Sequence, residues 1–192
     1  MAFDALGELS DETLLVLYGN GDGAAARALT ARFAPLAYRL GVRMLGDRAE
    51  AEDLAQEAML RLWKVAPDWR AGEAKVSTWL YRVVTNMATD RLRRRRGVGL
   101  DEAPELADGA ASALEGLIEA DRAAALELAL AQLPARQRQA VVLRHLEGLT
   151  NPEIAAAMEI GVEAVESLTA RGKRALAALL EGRRAELGYD HG

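Results

Sequence analysis

Arginine is concentrated in one short stretch of the chain. Five of the seven residues from Asp90 to Arg96 are arginine, at the end of a predicted helix. Arginine at a helix C-terminus complements the helix dipole, and clustered guanidinium groups also bind nucleic-acid phosphates. In a chain with a net charge of −5, the clustering favours a phosphate-binding patch, while the dipole remains the alternative explanation.

Two aromatic residues, Trp79 and Tyr81, come shortly before these arginines. Residues two apart face different sides of a helix, so we expect one ring in the core and the other near the surface. An exposed aromatic beside arginine suits stacking on unpaired bases. The alternative is that both rings pack internally.

A pair of short predicted helices forms the third pattern. The first begins at Thr150, which has capping-box spacing to Glu153, and the second begins at Val162 after a turn of about three residues. This spacing is typical of a helix-turn-helix, whose second helix enters the major groove of DNA. Pairs of short helices are common, so the spacing alone is a weak signal.

The surrounding sequence is helical throughout. Apolar residues recur at helical spacing from Asp11 to about Arg96 and again from Glu119, with no strand-like alternation. Ser10 and Asp47 are predicted N-caps, and Pro35 marks a predicted kink or break. The stretch 98–118 is rich in glycine and acids and has no basic residue. The sequence therefore predicts an all-α fold of two small helical domains, 10–97 and 119–187, joined by a flexible acidic linker.

Composition argues against several classes of protein. The chain has no cysteine and two histidines far apart, so we expect no metal site and no thiolate chemistry. It has no phosphate-binding glycine loop and no nucleophile elbow, so we expect neither a cofactor nor enzymatic activity. No apolar run is long enough to span a membrane, and the N-terminus lacks a signal peptide's basic start. These features predict a cytoplasmic protein without membrane insertion.

The ordered set of motifs resembles the extracytoplasmic-function (ECF) subgroup of the bacterial sigma-70 family. Residues 51–63 are similar to the polymerase-binding helix of region 2. Residues 76–83, with Asn86 and residues 90–94, resemble the promoter-opening helix. Residues 133–138, followed by Leu143, Arg144, residues 153–155 and the last helix, resemble region 4. Each motif is weak alone, but their order and spacing are specific.

The resemblance implies a transcription initiation factor that directs core RNA polymerase to specific promoters and helps to melt them. Its implied partners are the clamp of the polymerase's largest subunit, the flap of the second subunit, promoter DNA and an anti-sigma factor. The implied polymerase-binding residues are Asp53, Gln56, Glu57, Leu60, Arg61 and Trp63. Those implied for the −10 element are Trp79, Tyr81, Arg82, Asn86, Arg91, Arg93 and Arg94. Those implied for the −35 element are Arg136, Arg144, Ser167, Arg171, Lys173 and Arg174.

The last helix departs from the family's pattern. Glu163, Glu166 and Leu168 stand where basic residues are common, and Glu159 replaces a turn glycine. DNA contacts by this helix are therefore the weaker part of the interpretation. The negative net charge, together with these acidic residues, predicts feeble DNA binding by the free protein. Two alternatives remain. Co-purification with core polymerase would argue against a helix-turn-helix regulator that acts without polymerase. Loss of promoter-specific transcription on alanine substitution of residues 93–96 would argue against a helical scaffold.

Overall fold

The computed structural model describes residues 6, 8–70, 72, 75–97 and 114–181, and within these it contains helices and no strand. The all-α prediction is thus confirmed. The α-helices are α1 (Asp11–Gly19), α2 (Gly23–Leu45), α3 (Arg48–Val65), α4 (Val76–Gly97), α5 (Leu114–Gln132), α6 (Ala135–Val141), α7 (Asn151–Met158) and α8 (Val162–Glu181). A 3₁₀ turn, Ala66–Asp68, follows α3, and a π-helical turn, Val142–Leu146, follows α6.

Side-chain caps set the starts of the first three helices. Ser10 Oγ accepts a hydrogen bond from the Thr13 amide at 3.1 Å, and Asp47 Oδ1 accepts one from the Glu50 amide at 2.9 Å. Both confirm the predicted N-caps. Asp22, which was not predicted as a cap, accepts from the Ala24 amide at 2.7 Å. Each cap satisfies an amide that has no partner inside its helix.

Helix α2 continues through Pro35, so the break considered from the sequence does not occur. Proline removes the hydrogen bond to the carbonyl four residues earlier, at Ala31. Pro35 and Ala31 both lie on the exposed side of α2. The unpaired carbonyl therefore faces solvent, and the helix tolerates the loss.

The helix that follows the predicted linker begins earlier than predicted from its apolar spacing. Helix α5 starts at Leu114, five residues before the predicted start at Glu119. Leu114, Leu117 and Ile118 have helical spacing, but Gly116 between them was interpreted as a sign of the linker. Residues 98–113 of the predicted linker and residues 182–187 of the predicted last helix lie outside the described residues.

Helices α1–α4 form an N-terminal domain and α5–α8 a C-terminal domain, and the two pack against each other. Leu54 and Leu80 of the N-terminal domain and Leu143 and Ile154 of the C-terminal domain are buried in one continuous core. Contacts of α4 with α7, and of α2 with α5 and α6, join the domains. This arrangement decides which faces of α3, α4 and α8 reach solvent.

Candidate functional site

The outer face of α3 combines an exposed leucine with polar residues. Asp53, Gln56 and Leu60 have the spacing that places them on one helix face, and all three are exposed. Leu60 is 65% exposed although the opposite side of α3 is buried in the core. Single exposed apolar side chains are common on protein surfaces, but one that is surrounded by polar groups on a rigid helix can act as the anchor of a contact with another protein.

Two further residues predicted for polymerase binding form an ion pair beside Leu60. Arg61 donates to Glu57 at 2.6 Å, one helical turn away. Burial raises the pKa of the Glu57 carboxyl, but hydrogen bonds and charge from Arg61 and Arg91 outweigh it, and the pKa lies below its usual value. Trp63 is half-buried and packs against Tyr18 of α1, with ring centroids 4.5 Å apart. The predicted binding residues thus share a helix, but Trp63 is partly committed to internal packing.

Arginines of the run in α4 divide into two groups. Arg91 donates to the Glu50 carbonyl at 2.6 Å and to Glu57 at 3.3 Å, and its side chain is only 21% exposed. Arg95, which belongs to the predicted phosphate-binding run but not to the residues implied for the −10 element, lies 2.7 Å from the Glu50 carboxylate and donates to the Leu45 carbonyl at 3.2 Å. These two arginines fix α4 against α3 and the end of α2.

The other arginines described in this run face solvent. Arg93 and Arg94 are exposed, and Arg93 pairs with Asp90 at 3.0 Å. Arg82 and Asn86, one turn apart, are also exposed, and helical spacing places them on the same side of α4 as Arg93. Half-buried Trp79 begins this stripe and packs edge-on against Trp69, with centroids 6.2 Å apart. The stripe offers cations, an amide and an aromatic edge to a ligand.

Tyr81 lies beside this stripe but faces the other domain. Its hydroxyl donates to Glu147 at 3.2 Å. Burial, followed by the charge and hydrogen bond of Glu147, raises its pKa to about 12. The two rings contact different parts of the protein, as expected for residues two apart, but the expectation of one core ring and one surface ring is wrong, because both rings are half-buried.

The short helix α7 and the longer helix α8 have the local structure of a helix-turn-helix. Thr150 and Glu153 form the reciprocal capping box expected at the start of α7. Helix α7 ends at Met158, and the next residue, Glu159, caps it in a left-handed conformation with φ of 54°. Glycine adopts this conformation without steric cost. The geometry explains why glycine is common at this turn position and why Glu159 is unfavourable there.

One face of α8 carries several of the predicted DNA contacts. Ser167, Arg171 and Arg174 are exposed, and their spacing places them on the same side of the helix. Lys173 is exposed on a different side, which it shares with Glu166. Glu166 accepts a hydrogen bond from Asn151 at 3.4 Å, so it contributes to packing between α7 and α8.

The remaining predicted region 4 residues lie outside α8. Arg136 is exposed near the start of α6, and exposed Arg144 donates to the Leu149 carbonyl at 2.9 Å. Arg43 and Glu147, which were not predicted from the sequence, form an ion pair between the two domains at 2.5 Å. They are 104 positions apart, and no local pattern relates them.

The described part of the chain contains no group of three or more side chains positioned to hold a metal ion. None of its helices combines the length and apolar character needed to cross a membrane.

Comparison with known proteins places both domains in one family. Residues 29–98 match Sigma-70 region 2, and residues 123–176 match Sigma-70, region 4. The chain is 34% identical over 178 residues to the ECF RNA polymerase sigma factor SigE of Mycolicibacterium smegmatis, covering 88% of this chain and 68% of that protein. It is 35% identical over 150 residues to the ECF RNA polymerase sigma factor SigW of Bacillus subtilis, covering 72% of this chain and 80% of that protein.

Solved structures show the same architecture. CnrH, solved in complex with the cytosolic domain of CnrY, superposes with a TM-score of 0.65 at 25% identity, covering 90% of this chain and 97% of that one. The sigma factor RpoE of Bartonella quintana, solved with the anti-sigma factor NepR, gives a TM-score of 0.66 at 20% identity, covering 81% and 96%. Because RpoE is only 20% identical to this chain, its similarity is evidence for the fold alone.

Proposed function

This chain belongs to the ECF sigma factors of the sigma-70 family, and on that premise we propose which of its surfaces bind polymerase and promoter DNA. Helix α3 binds the clamp of the largest polymerase subunit, α4 binds the −10 element, and the helix-turn-helix binds the −35 element and the flap of the second subunit. The protein acts in the cytoplasm as an initiation factor without catalytic activity of its own. The observation that carries the proposal is the exposed stripe of α4 formed by Arg82, Asn86 and Arg93.

Polymerase binding is assigned to the exposed face of α3. Leu60 forms its apolar centre, and Asp53, Gln56 and the Glu57–Arg61 pair form its polar rim. An apolar anchor surrounded by polar groups is the usual arrangement of a protein-binding hot spot. The exposed edge of Trp63 extends this face, while its contact with Tyr18 holds the ring in place.

Promoter melting is assigned to the stripe on α4. Separating a base pair costs about 1.4 kcal/mol per step, and stacking one unpaired base on an aromatic ring returns roughly 1–3 kcal/mol. Half-buried Trp79 offers one ring for a base to stack on. Asn86 offers a donor and an acceptor to a base, and Arg82, Arg93 and Arg94 bind phosphates. Capture of one base therefore offsets the cost of about one or two base-pair steps and assists melting without ATP. Arg91 contributes mainly by holding α4 on α3, since only a minor part of it reaches solvent.

Recognition of the −35 element is assigned to α8 and the ends of α6. Ser167, Arg171 and Arg174 share the exposed face that would enter the major groove. Arg136 and Arg144 supply further positive charge for phosphates, and Lys173 reaches DNA only at the side of the helix. Because Glu163 lies near the same face, its charge opposes DNA binding, and this element contributes less affinity than α4.

The stripe on α4 is tested by replacing Arg82 and Asn86 together with alanine. Loss of one specific base contact costs about 1–3 kcal/mol, or roughly 5- to 150-fold in affinity. Promoter opening in the presence of core polymerase is measured by the permanganate reactivity of unpaired thymines. We expect it to fall by at least about 5-fold, the lower value for loss of one contact. Arg48→Ala, which removes an exposed arginine of the same domain, is the matched control. Normal opening by the double variant would contradict the assignment.

We also propose that a protein of the anti-sigma class holds the factor inactive. The support is its likeness to CnrH, whose solved structure contains the cytosolic domain of CnrY. Such a partner and core polymerase would exclude each other if both cover α3. Native mass spectrometry of the tagged chain from its own cells should then show a complex lacking polymerase subunits. Finding only free and polymerase-bound chains would contradict this proposal.

A further inference from the structure

An open cleft of about 360 Å³ lies where the end of α2, the start of α3 and helix α5 meet. It is separate from the surfaces assigned above to polymerase and promoter DNA. Its volume is within the range of sites for small molecules, roughly 300–1,000 Å³. The residues that line it are Tyr38, Arg39, Val42, Arg43, Arg48 and Glu127.

The turn between α2 and α3 brings three arginines to this cleft. Arg39 and Arg43 are four residues apart, so they are neighbours on one face of α2. Gly46, in a left-handed conformation with φ of 68°, ends α2, and α3 then begins at Arg48 with Asp47 as its N-cap. Like charges one helical turn apart repel each other. A bound anion would remove this repulsion.

The three arginines differ in whether a carboxylate neutralises them. Arg43 is 28% exposed and pairs with Glu147 at 2.5 Å, which holds its guanidinium group in place. Arg39 and Arg48 are exposed, and neither has a hydrogen-bond or ion-pair partner among the described residues. The cleft therefore offers two available cations to a ligand, although the net charge of the chain is −5.

The other lining residues suit the organic part of a ligand. Half-buried Tyr38 and buried Val42 are one turn apart on α2, so they form an aromatic and apolar wall beside the arginines. Glu127, half-buried on α5, is the carboxylate among the lining residues. A carboxylate accepts hydrogen bonds and repels anions. Glu127 therefore favours a ligand that carries hydroxyl or amino groups as well as phosphate.

We propose that this cleft binds a small phosphorylated metabolite of the nucleotide class. Guanidinium groups bind phosphate oxygens through charge-assisted, often paired hydrogen bonds. Arg39 and Arg48 bind the phosphate groups, and Arg43 adds positive charge from a fixed position. Tyr38 and Glu127 contact the sugar or the base. Binding is independent of the contacts proposed for polymerase and promoter.

The first test is calorimetric titration of the full chain with ADP, without DNA, polymerase or divalent cations. Ionic strength of about 0.15 M screens attraction to scattered surface charges. We expect one ADP per chain, and we expect Arg39→Gln to weaken ADP binding at least about 10-fold, the effect of losing one charge-assisted hydrogen bond. Lys64→Gln removes an exposed cation of the same domain outside the cleft and should bind ADP normally. No binding of ADP at millimolar concentration, or equal losses in the two variants, would overturn the proposal.

The second test compares ADP with inorganic pyrophosphate, which has phosphate groups but no sugar or base. The unmodified chain should prefer ADP. Glu127→Gln removes a negative charge from the cleft, so it should bind pyrophosphate more tightly, and the preference for ADP should fall by at least about 5-fold. Equal affinity of the unmodified chain for the two probes, or an unchanged preference in Glu127→Gln, would overturn the nucleotide assignment.

A short DNA duplex is the third probe, because exposed arginines also bind the DNA backbone. We expect Arg39→Gln to leave binding of the duplex unchanged while it weakens binding of ADP. Binding of the duplex through Arg39 by a chain that does not bind ADP would make the cleft a DNA contact and overturn the proposal.

Discussion

Leu60→Ala should weaken binding to core polymerase without destabilising the free protein. Complete burial of a leucine side chain contributes about 1.5–3 kcal/mol. Leu60 is 65% exposed, so burial of that fraction on docking is worth about 1–2 kcal/mol, or roughly 5- to 30-fold in Kd. The free energy of unfolding should change by less than about 0.5 kcal/mol, because the side chain lies outside the core and alanine favours helix.

Fluorescence anisotropy of the labelled chain titrated with core polymerase measures the affinity, and urea unfolding measures the stability. Leu128→Ala is the matched control, since it makes the same change at a 39% exposed leucine of α5. The control should bind polymerase normally. The reasoning fails if Leu60→Ala retains full affinity, or if both leucine variants lose affinity equally.

Three further predictions concern the turn, a helix crossing and a titration. Glu159→Gly should raise the free energy of unfolding, measured with urea, by about 0.5–1 kcal/mol. Glycine removes the strain of the left-handed conformation at this position, and this gain exceeds the cost of the greater conformational entropy of glycine in the unfolded chain. A lower stability of the variant would contradict this reasoning. Gly172→Ala should lower the free energy of unfolding by about 1–2 kcal/mol, because the added Cβ would lie 3.0 Å from a backbone carbonyl and 2.6 Å from a valine methyl of α6. Gly23→Ala is the control and should be neutral, because its Cβ would meet nothing closer than 3.8 Å. Equal destabilisation by the two variants would refute the packing argument. In an ultraviolet titration, Tyr81 should ionise near pH 12, and Glu147→Gln should lower the pKa of Tyr81. Because the pKa of Tyr81 is raised in the folded state, its contribution to stability is complete below about pH 10 and is lost as the pH rises through 12. An unchanged Tyr81 titration in Glu147→Gln would contradict the hydrogen bond.

Much of the fold was predictable because its determinants are local. Helical spacing of apolar residues and the caps at Ser10, Asp47 and Thr150 define where helices form. The start of α5 was misplaced because Gly116 and nearby acids are typical of a linker although the leucine spacing is helical. Continuity through Pro35 depended on which side of α2 faces solvent, and that is decided by packing.

The candidate site was predictable at the level of helix faces. The exposure of Leu60, Arg82 and Asn86 follows from their position opposite the buried residues of the same helix. The different roles of Arg91 and Arg93 could not be predicted, since they depend on how α3 crosses α4. The contact of Tyr81 with Glu147 joins residues 66 positions apart, and it depends on docking of two separate domains.

The central claim, that this chain directs polymerase to promoters, is tested most directly by run-off transcription. Core polymerase would transcribe fragmented genomic DNA with and without the purified chain, and sequencing of the RNA 5′ ends would locate the start sites. The account predicts new start sites that share two upstream sequence elements at a fixed spacing. Identical start sites with and without the chain would contradict it.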